Sequence, residues 1–80
     1  MSTKTYVVHA EWDSEAECWV AESDDVPGLA TGADTMEELV RKLKTVVPEL
    51  LEENGLLPKP HDSVPVEIVA RQSISATLDG

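Results

Sequence analysis

The chain has 80 residues, 41% of them hydrophobic but only 4% aromatic, and carries 16 acids against 6 bases for a formal charge of -10. A domain of this length leaves about 40% of its unfolded-chain surface exposed, so it can build one modest core and no second domain. The charge disfavours nucleic acid as a direct partner, because phosphate binding draws on Lys and Arg to release counterions. The single cysteine, Cys18, allows no internal disulfide, no apolar run is long enough to cross a membrane, and the start at Met1 lacks the apolar stretch of a signal peptide, so a cytoplasmic protein is expected.

The first predicted element is a strand over 5–12, where Tyr6, Val8, Ala10 and Trp12 alternate with Val7, His9 and Glu11. The polar segment from Asp13 to Glu17 is of hairpin length, and alternation resumes over 18–23, which predicts an antiparallel pair. Pro27 and Gly28 suit the two central positions of a type II turn, since Pro presets the first φ and Gly accepts the positive second one. Residues 29–33 contain Gly32 and make at most a short third strand.

The strongest periodic signal follows. Met36, Leu39, Val40, Leu43, Val46, Val47, Leu50 and Leu51 recur at steps of three and four, predicting an amphipathic helix over 35–54. Asp34 or Thr35 supplies the N-cap, Thr35 and Glu38 match a capping box, and Asn54-Gly55 supplies the stop. Glu37 with Arg41 and Glu38 with Lys42 add i,i+4 pairs worth about 0.3–0.5 kcal/mol each. Pro48 removes a backbone donor inside the helix, so a kink is expected there. The stretch from Leu56 to His61 holds Pro58 and Pro60 and reads as an extended connection. A strand over 63–71 then places Val64, Val66, Ile68 and Ala70 on one face, with Pro65 marking a sheet edge or strand start, and the remaining tail either extends this strand or frays.

The order β-β-β-α-β predicts an α+β domain, a three- to four-stranded sheet with one helix packed on one face. If Tyr6, Val8 and Ala10 lie beneath the helix, Val7, His9, Trp19, Ala21 and Val69 are expected on the opposite face. That leaves an apolar patch suited to a second subunit, so a homo-oligomer is expected.

Chemistry is sparsely signalled. His9 and His61 are distant in sequence, and there is no Cys-x-x-Cys spacing or phosphate-binding glycine loop. Cys18 sits mid-strand with no neighbouring positive charge and reads as a small hydrophobe. Asp24 and Asp25 beside the Pro-Gly turn read as turn caps ahead of cation ligands. No catalytic residue, metal or cofactor is therefore expected. The distinctive feature is charge. Between Thr5 and Val40 there is no Lys or Arg, and the acids include Glu11, Asp13, Glu15, Glu22, Asp24 and Asp25. These are the candidate residues for steering a basic protein, with Trp12 and Trp19 either as core packing or as interface anchors.

Read together, Trp12-Asp-x-Glu-Ala-x-x-Trp-Val-Ala-x-Ser-Asp-Asp-Val-Pro-Gly-Leu-Ala-Thr, then Ala33-Asp34-Thr35 opening the helix and Val47-Pro-Glu-Leu-Leu-x-x-Asn54 within it, resemble a small bacterial family of unknown function grouped with the HicB-like antitoxins. The resemblance runs from about Val8 to Asn54. It implies a partial ribonuclease-H-like fold without the nuclease acids, because the strand-centre candidates Tyr6, Val8, Ala10, Val66, Ile68 and Ala70 are apolar. It also implies a partner, the small basic HicA toxin that cleaves messenger RNA. HicB-like antitoxins further carry a C-terminal DNA-binding segment, whereas after Pro65 this sequence offers one base, Arg71, so direct DNA binding is not expected. Two alternatives stand beside the antitoxin reading. One is an orphan homo-oligomeric interaction domain; the other is a metal-dependent hydrolase using Asp24, Asp25 and a further carboxylate.

Overall fold

The structure is a computed structural model that describes residues 4–56 and 64–78. The expected start of the last strand at Ser63, and the connection from Leu57 to His61, lie outside the described residues. In chain order the elements are β1 (Tyr6–Asp13), β2 (Cys18–Glu22), β3 (Ala30–Ala33), α1 (Met36–Glu53) and β4 (Val66–Arg71). They form one four-stranded mixed sheet in the order β3-β2-β1-β4, with a single helix, so the fold is the expected α+β arrangement. β2 runs antiparallel to both β1 and β3, while β4 lies parallel to β1 on its other side. The parallel pair is possible because the connection between its strands includes the helix.

Register decides which side chains share a face. Tyr6, Val8 and Ala10 of β1 are buried beneath the helix, as their alternation predicts. The β1–β2 loop has four residues, Ser14 to Glu17, with Glu17 in the left-handed region at φ 53°. That loop pairs Ala10 with Ala21 and Trp12 with Trp19. Trp19 and Ala21 therefore join the helix side: Ala21 is buried and Trp19 packs against the core, which corrects the expectation that both point away. The remaining expected residues, Val7, His9 and Val69, do lie on the open face, and there they are joined by Glu11, Val20, Glu22 and Arg71. In β4, Val66 and Ile68 stand beside Tyr6 and Val8, on the covered side.

The helix closes the core with Leu39, Leu43, Val47 and Leu51, a stripe at steps of four. Fully burying each such side chain stabilises by about 1.5–3 kcal/mol relative to exposure. Its start is set by Thr35, extended at φ -131° and ψ 157°, whose Oγ1 accepts from the Glu38 N–H at 3.1 Å; of the two predicted caps this is the one used, and Asp34 stands exposed just before it. Its end is a Schellman motif, with the Gly55 N–H donating to the Glu52 carbonyl at 3.1 Å and the Leu56 N–H to that of Leu51 at 2.7 Å, Gly55 at φ 68°. The helix is continuous through Pro48, whose ring leaves the Lys44 carbonyl without its usual donor. Its backbone approaches β2 and β3 and leaves β4 aside.

Val26 and Leu29 bury themselves at the foot of the core on either side of Pro27-Gly28. The Leu29 N–H donates to the Val26 carbonyl at 3.1 Å and Gly28 takes φ 85°, the two features that define a type II turn with Pro27 and Gly28 at its centre. The Asn54 amide ties this turn to the helix end, donating to the Pro27 carbonyl at 3.3 Å and to that of Leu50 at 2.8 Å.

Candidate functional site

The open face of the sheet is a broad shallow hollow of about 890 Å³, whose floor and rim include His9, Glu11, Val20, Glu22, Val69 and Arg71. Val20 and Val69 are 43% and 44% exposed, large apolar groups that nothing in the described residues covers. Register places each. His9 lies between Glu22 of β2 and Val69 of β4, and Glu11 between Val20 and Arg71. The polar pair His9 and Glu11 of β1 thus forms the centre of the face, with Val20 and Glu22 on the β2 side and Val69 and Arg71 on the β4 side.

The predicted acids do not gather into one cluster. They follow the β1–β2 hairpin from end to end. At the loop, Asp13 Oδ1 accepts from the N–H groups of Glu15 and Ala16 at 3.0 and 3.2 Å, an Asx turn that shapes the connection, and Glu15 is exposed beside it. Glu11 and Glu22 stand in the middle, on the open face. Asp24 and Asp25 lie at the far end, roughly 20 Å from the loop at about 3.4 Å of strand per residue. The arrangement is a strip.

Asp24 and Asp25 differ in what they touch. β2 ends at Glu22, so β1 beyond His9 loses its backbone partner on that side. Side chains replace it: the Val7 N–H donates to Asp25 Oδ2 at 2.9 Å and the Ser23 hydroxyl donates to the Val7 carbonyl at 2.5 Å. The Asp25 N–H in turn donates to Ser23 Oγ at 3.1 Å. The other Asp25 oxygen sits 3.8 Å from the Lys4 ammonium, a surface pair with side chains 61% and 32% exposed, worth at most about 1 kcal/mol. Asp25 is a clamp that holds the β2–β3 connection on β1. Asp24 is exposed beside it and takes no part in the clamp, which leaves its charge to act at a distance.

Trp12 and Trp19 meet edge to face, ring centroids 5.4 Å apart at 67°. Both are half-buried, and both lie on the helix side of the sheet. The structure therefore does not bring them onto the surface that carries Glu11 and Glu22. Sequence reasoning also passed over Val20 and Arg71, which enter the hollow only through the hairpin parity and the parallel pairing of β4.

Among the described residues no group of three or more His, Cys, Asp or Glu is placed to hold a metal ion. Cys18 is half-buried at the start of β2. No helix among the described residues is long and apolar enough to cross a membrane.

No curated protein matches the chain. A solved structure does: the crystal structure of a hypothetical protein, TTHA1013, from the extremely thermophilic bacterium Thermus thermophilus is 52% identical, covers 94% of this chain and 100% of its own, and superposes with a TM-score of 0.69. The sequence profile of a domain of unknown function, DUF1902, matches residues 5–78, from just before β1 to the tail beyond β4. The chain belongs to the DUF1902 family.

Proposed function

We propose that this chain is a non-enzymatic protein-binding module of the antitoxin type, which works in the cytoplasm by covering a small basic protein of the HicA kind with the open face of its sheet. One observation carries this reading. Glu11, Glu15, Glu22 and Asp24 are spread along a single hairpin and its far end, no Lys or Arg occurs between Thr5 and Val40, and among the described residues Arg71 beside Glu11 is the one base lining the hollow. A strip of one sign raises the encounter rate with a basic partner and discriminates against acidic ones. Val20 and Val69, on either side of His9 and Glu11, add exposed apolar area next to charged groups, the mixture that protein contacts use. The apolar strand centres Val8, Ala10, Val66 and Ile68 suit a ribonuclease-H-like sheet kept without its chemistry, and the HicB-like motif of the hairpin and helix start supports the same reading.

The test is capture by the tagged protein from a lysate of cells that encode it, at low ionic strength, with elution by rising salt. A small basic protein should elute as salt increases. Neutralising the strip with Glu11→Gln, Glu22→Gln and Asp24→Asn should slow its association about tenfold at low salt and change it little at high salt. An on-rate that ignores these three substitutions would overturn the assignment. Heat on titration with magnesium or manganese would favour the rival metal-dependent hydrolase, and capture of nothing but the protein itself would favour an orphan self-associating domain.

A further inference from the structure

A second surface, on the other side of the sheet, concerns self-association. β4 is an edge strand with β1 as its one neighbour in the sheet. Because α1 lies over β2 and β3, a groove of about 420 Å³ remains between the helix and β4, lined by Lys44 and otherwise by the apolar Val40, Leu43, Pro48, Val64, Val66 and Ile68. An uncovered edge beside an apolar groove is a template for an added strand. Beyond Arg71 the chain continues through residues 72–78 without regular structure, and it carries the two most exposed large hydrophobics among the described residues, Ile74 at 81% and Leu78 at 99%. The radius of gyration, 15.2 Å, is larger than the roughly 12 Å of a compact domain of this length.

The tail keeps the alternation of the strand it leaves. Val66, Ile68 and Ala70 share the helix side of β4, and Ile74, Ala76 and Leu78 fall on the same parity, with Ser73, Ser75 and Thr77 between them. Neither Gly nor Pro occurs from Val66 to Leu78, so nothing in this stretch obstructs a strand. A return onto its own β4 would need a tight reversal at Gln72-Ser73, which lacks the Gly, Asn or Asp that two-residue hairpin turns require. The occupant that fits is the same tail from a second copy.

We propose that the chain dimerises by exchanging residues 72–78, each copy's tail pairing antiparallel with the other's β4. The register that pairs every residue from 66 to 78 puts the two-fold axis at Gln72. Leu78 then faces Val66, Ala76 faces Ile68 and Ile74 faces Ala70. Directly opposed residues of an antiparallel pair share a face, so Ile74 and Leu78 arrive on the groove side. On the other side Glu67 meets Thr77 and Arg71 meets Ser73, which opposes no like charges. The contact is isologous, closes both β4 edges, and leaves the acidic strip free, so it stands or falls independently of the proposed partner.

Sedimentation equilibrium of the full chain over a range of concentrations tests this, alongside Ile74→Asp/Leu78→Asp and, in a Cys18→Ser background, Gln72→Cys. The unmodified chain should have twice the monomer mass and a Tm that rises with concentration. The double Asp variant should be monomeric with a Tm independent of concentration, and Gln72→Cys should form an intermolecular disulfide on mild oxidation whereas Ser75→Cys does not. A monomeric unmodified chain would overturn the proposal, as would a dimer that survives both Asp substitutions. Should the Asp variant fail to fold, the cross-linking pair decides alone: a disulfide at position 75 and none at 72 rejects the register.

Discussion

The two faces of this sheet are made by the same strands with the same alternation, yet they differ in almost every physical respect. Under the helix stand Tyr6, Val8, Ala10, Ala21 and Ala33, and among the described residues no buried polar side chain accompanies them. On the open side stand His9, Glu11, Val20, Glu22, Val69 and Arg71 around a hollow. Strand periodicity separates two sets within each strand, but a period of two is silent on which set the helix will cover. The choice comes from the helix stripe and from the turn residues Val26 and Leu29, which have an apolar face to meet on one side alone. Stability therefore resides on the covered face, and the open face is left for surface chemistry.

That contrast can be broken most severely from the covered side. Leu39→Ala should cost about 2–5 kcal/mol, since Leu39 is fully buried and its removal leaves a cavity. With a total stability of about 4–12 kcal/mol expected for this length, chemical denaturation should show a much lower midpoint, or no folded baseline at all. A loss under about 1 kcal/mol would mean that the helix stripe is not the centre of the core.

The next effect separates neighbours in sequence. Asp25→Ala leaves the Val7 N–H without its acceptor and should destabilise by about 1–3 kcal/mol, whereas Asp24→Ala should stay within about 0.5 kcal/mol. At about 4–8 °C per kcal/mol in a domain of this size, thermal melts resolve the two readily. Equal melts would remove the clamp assigned to Asp25. The smallest effect belongs to the open face. Val20→Thr changes an exposed position and should shift stability by less than about 0.5 kcal/mol, yet weaken capture of a basic partner. A large loss of stability would show that the hollow is packed against something within the chain.

Much of the fold is legible in the sequence because its signals are local. The apolar steps from Met36 to Leu51 announce the helix, Thr35 and Asn54-Gly55 mark its ends, and Pro27-Gly28 encodes a turn that few other dipeptides favour. The acids of the candidate surface are equally visible as a run without bases. What local signals do not carry is parity. One residue more or fewer in the loop from Ser14 to Glu17 would move Trp19 and Ala21 to the open face, and Glu17 at positive φ is a conformation that its residue type does not advertise. The bond from Asp25 to Val7 spans 18 residues, so a carboxylate that reads as a free surface charge becomes a structural one only after the chain has folded. The hollow depends on β4 lying beside β1, which the order of elements permits but does not by itself require.

That parallel pairing also bears on how the chain is made. Tyr6 meets Val66 and Glu11 meets Arg71, so the central strand of the sheet finds one of its two neighbours 60 residues further along. During synthesis at about 5–20 residues per second, β1 and β2 are complete for some seconds while the β4 side of β1 stays open. Contacts of such long sequence separation also slow folding, because the loop must be closed before its pairing gives any return. For that interval the newborn hairpin is a sheet with a raw edge, and the run of acids along it keeps neighbouring nascent chains apart by repulsion.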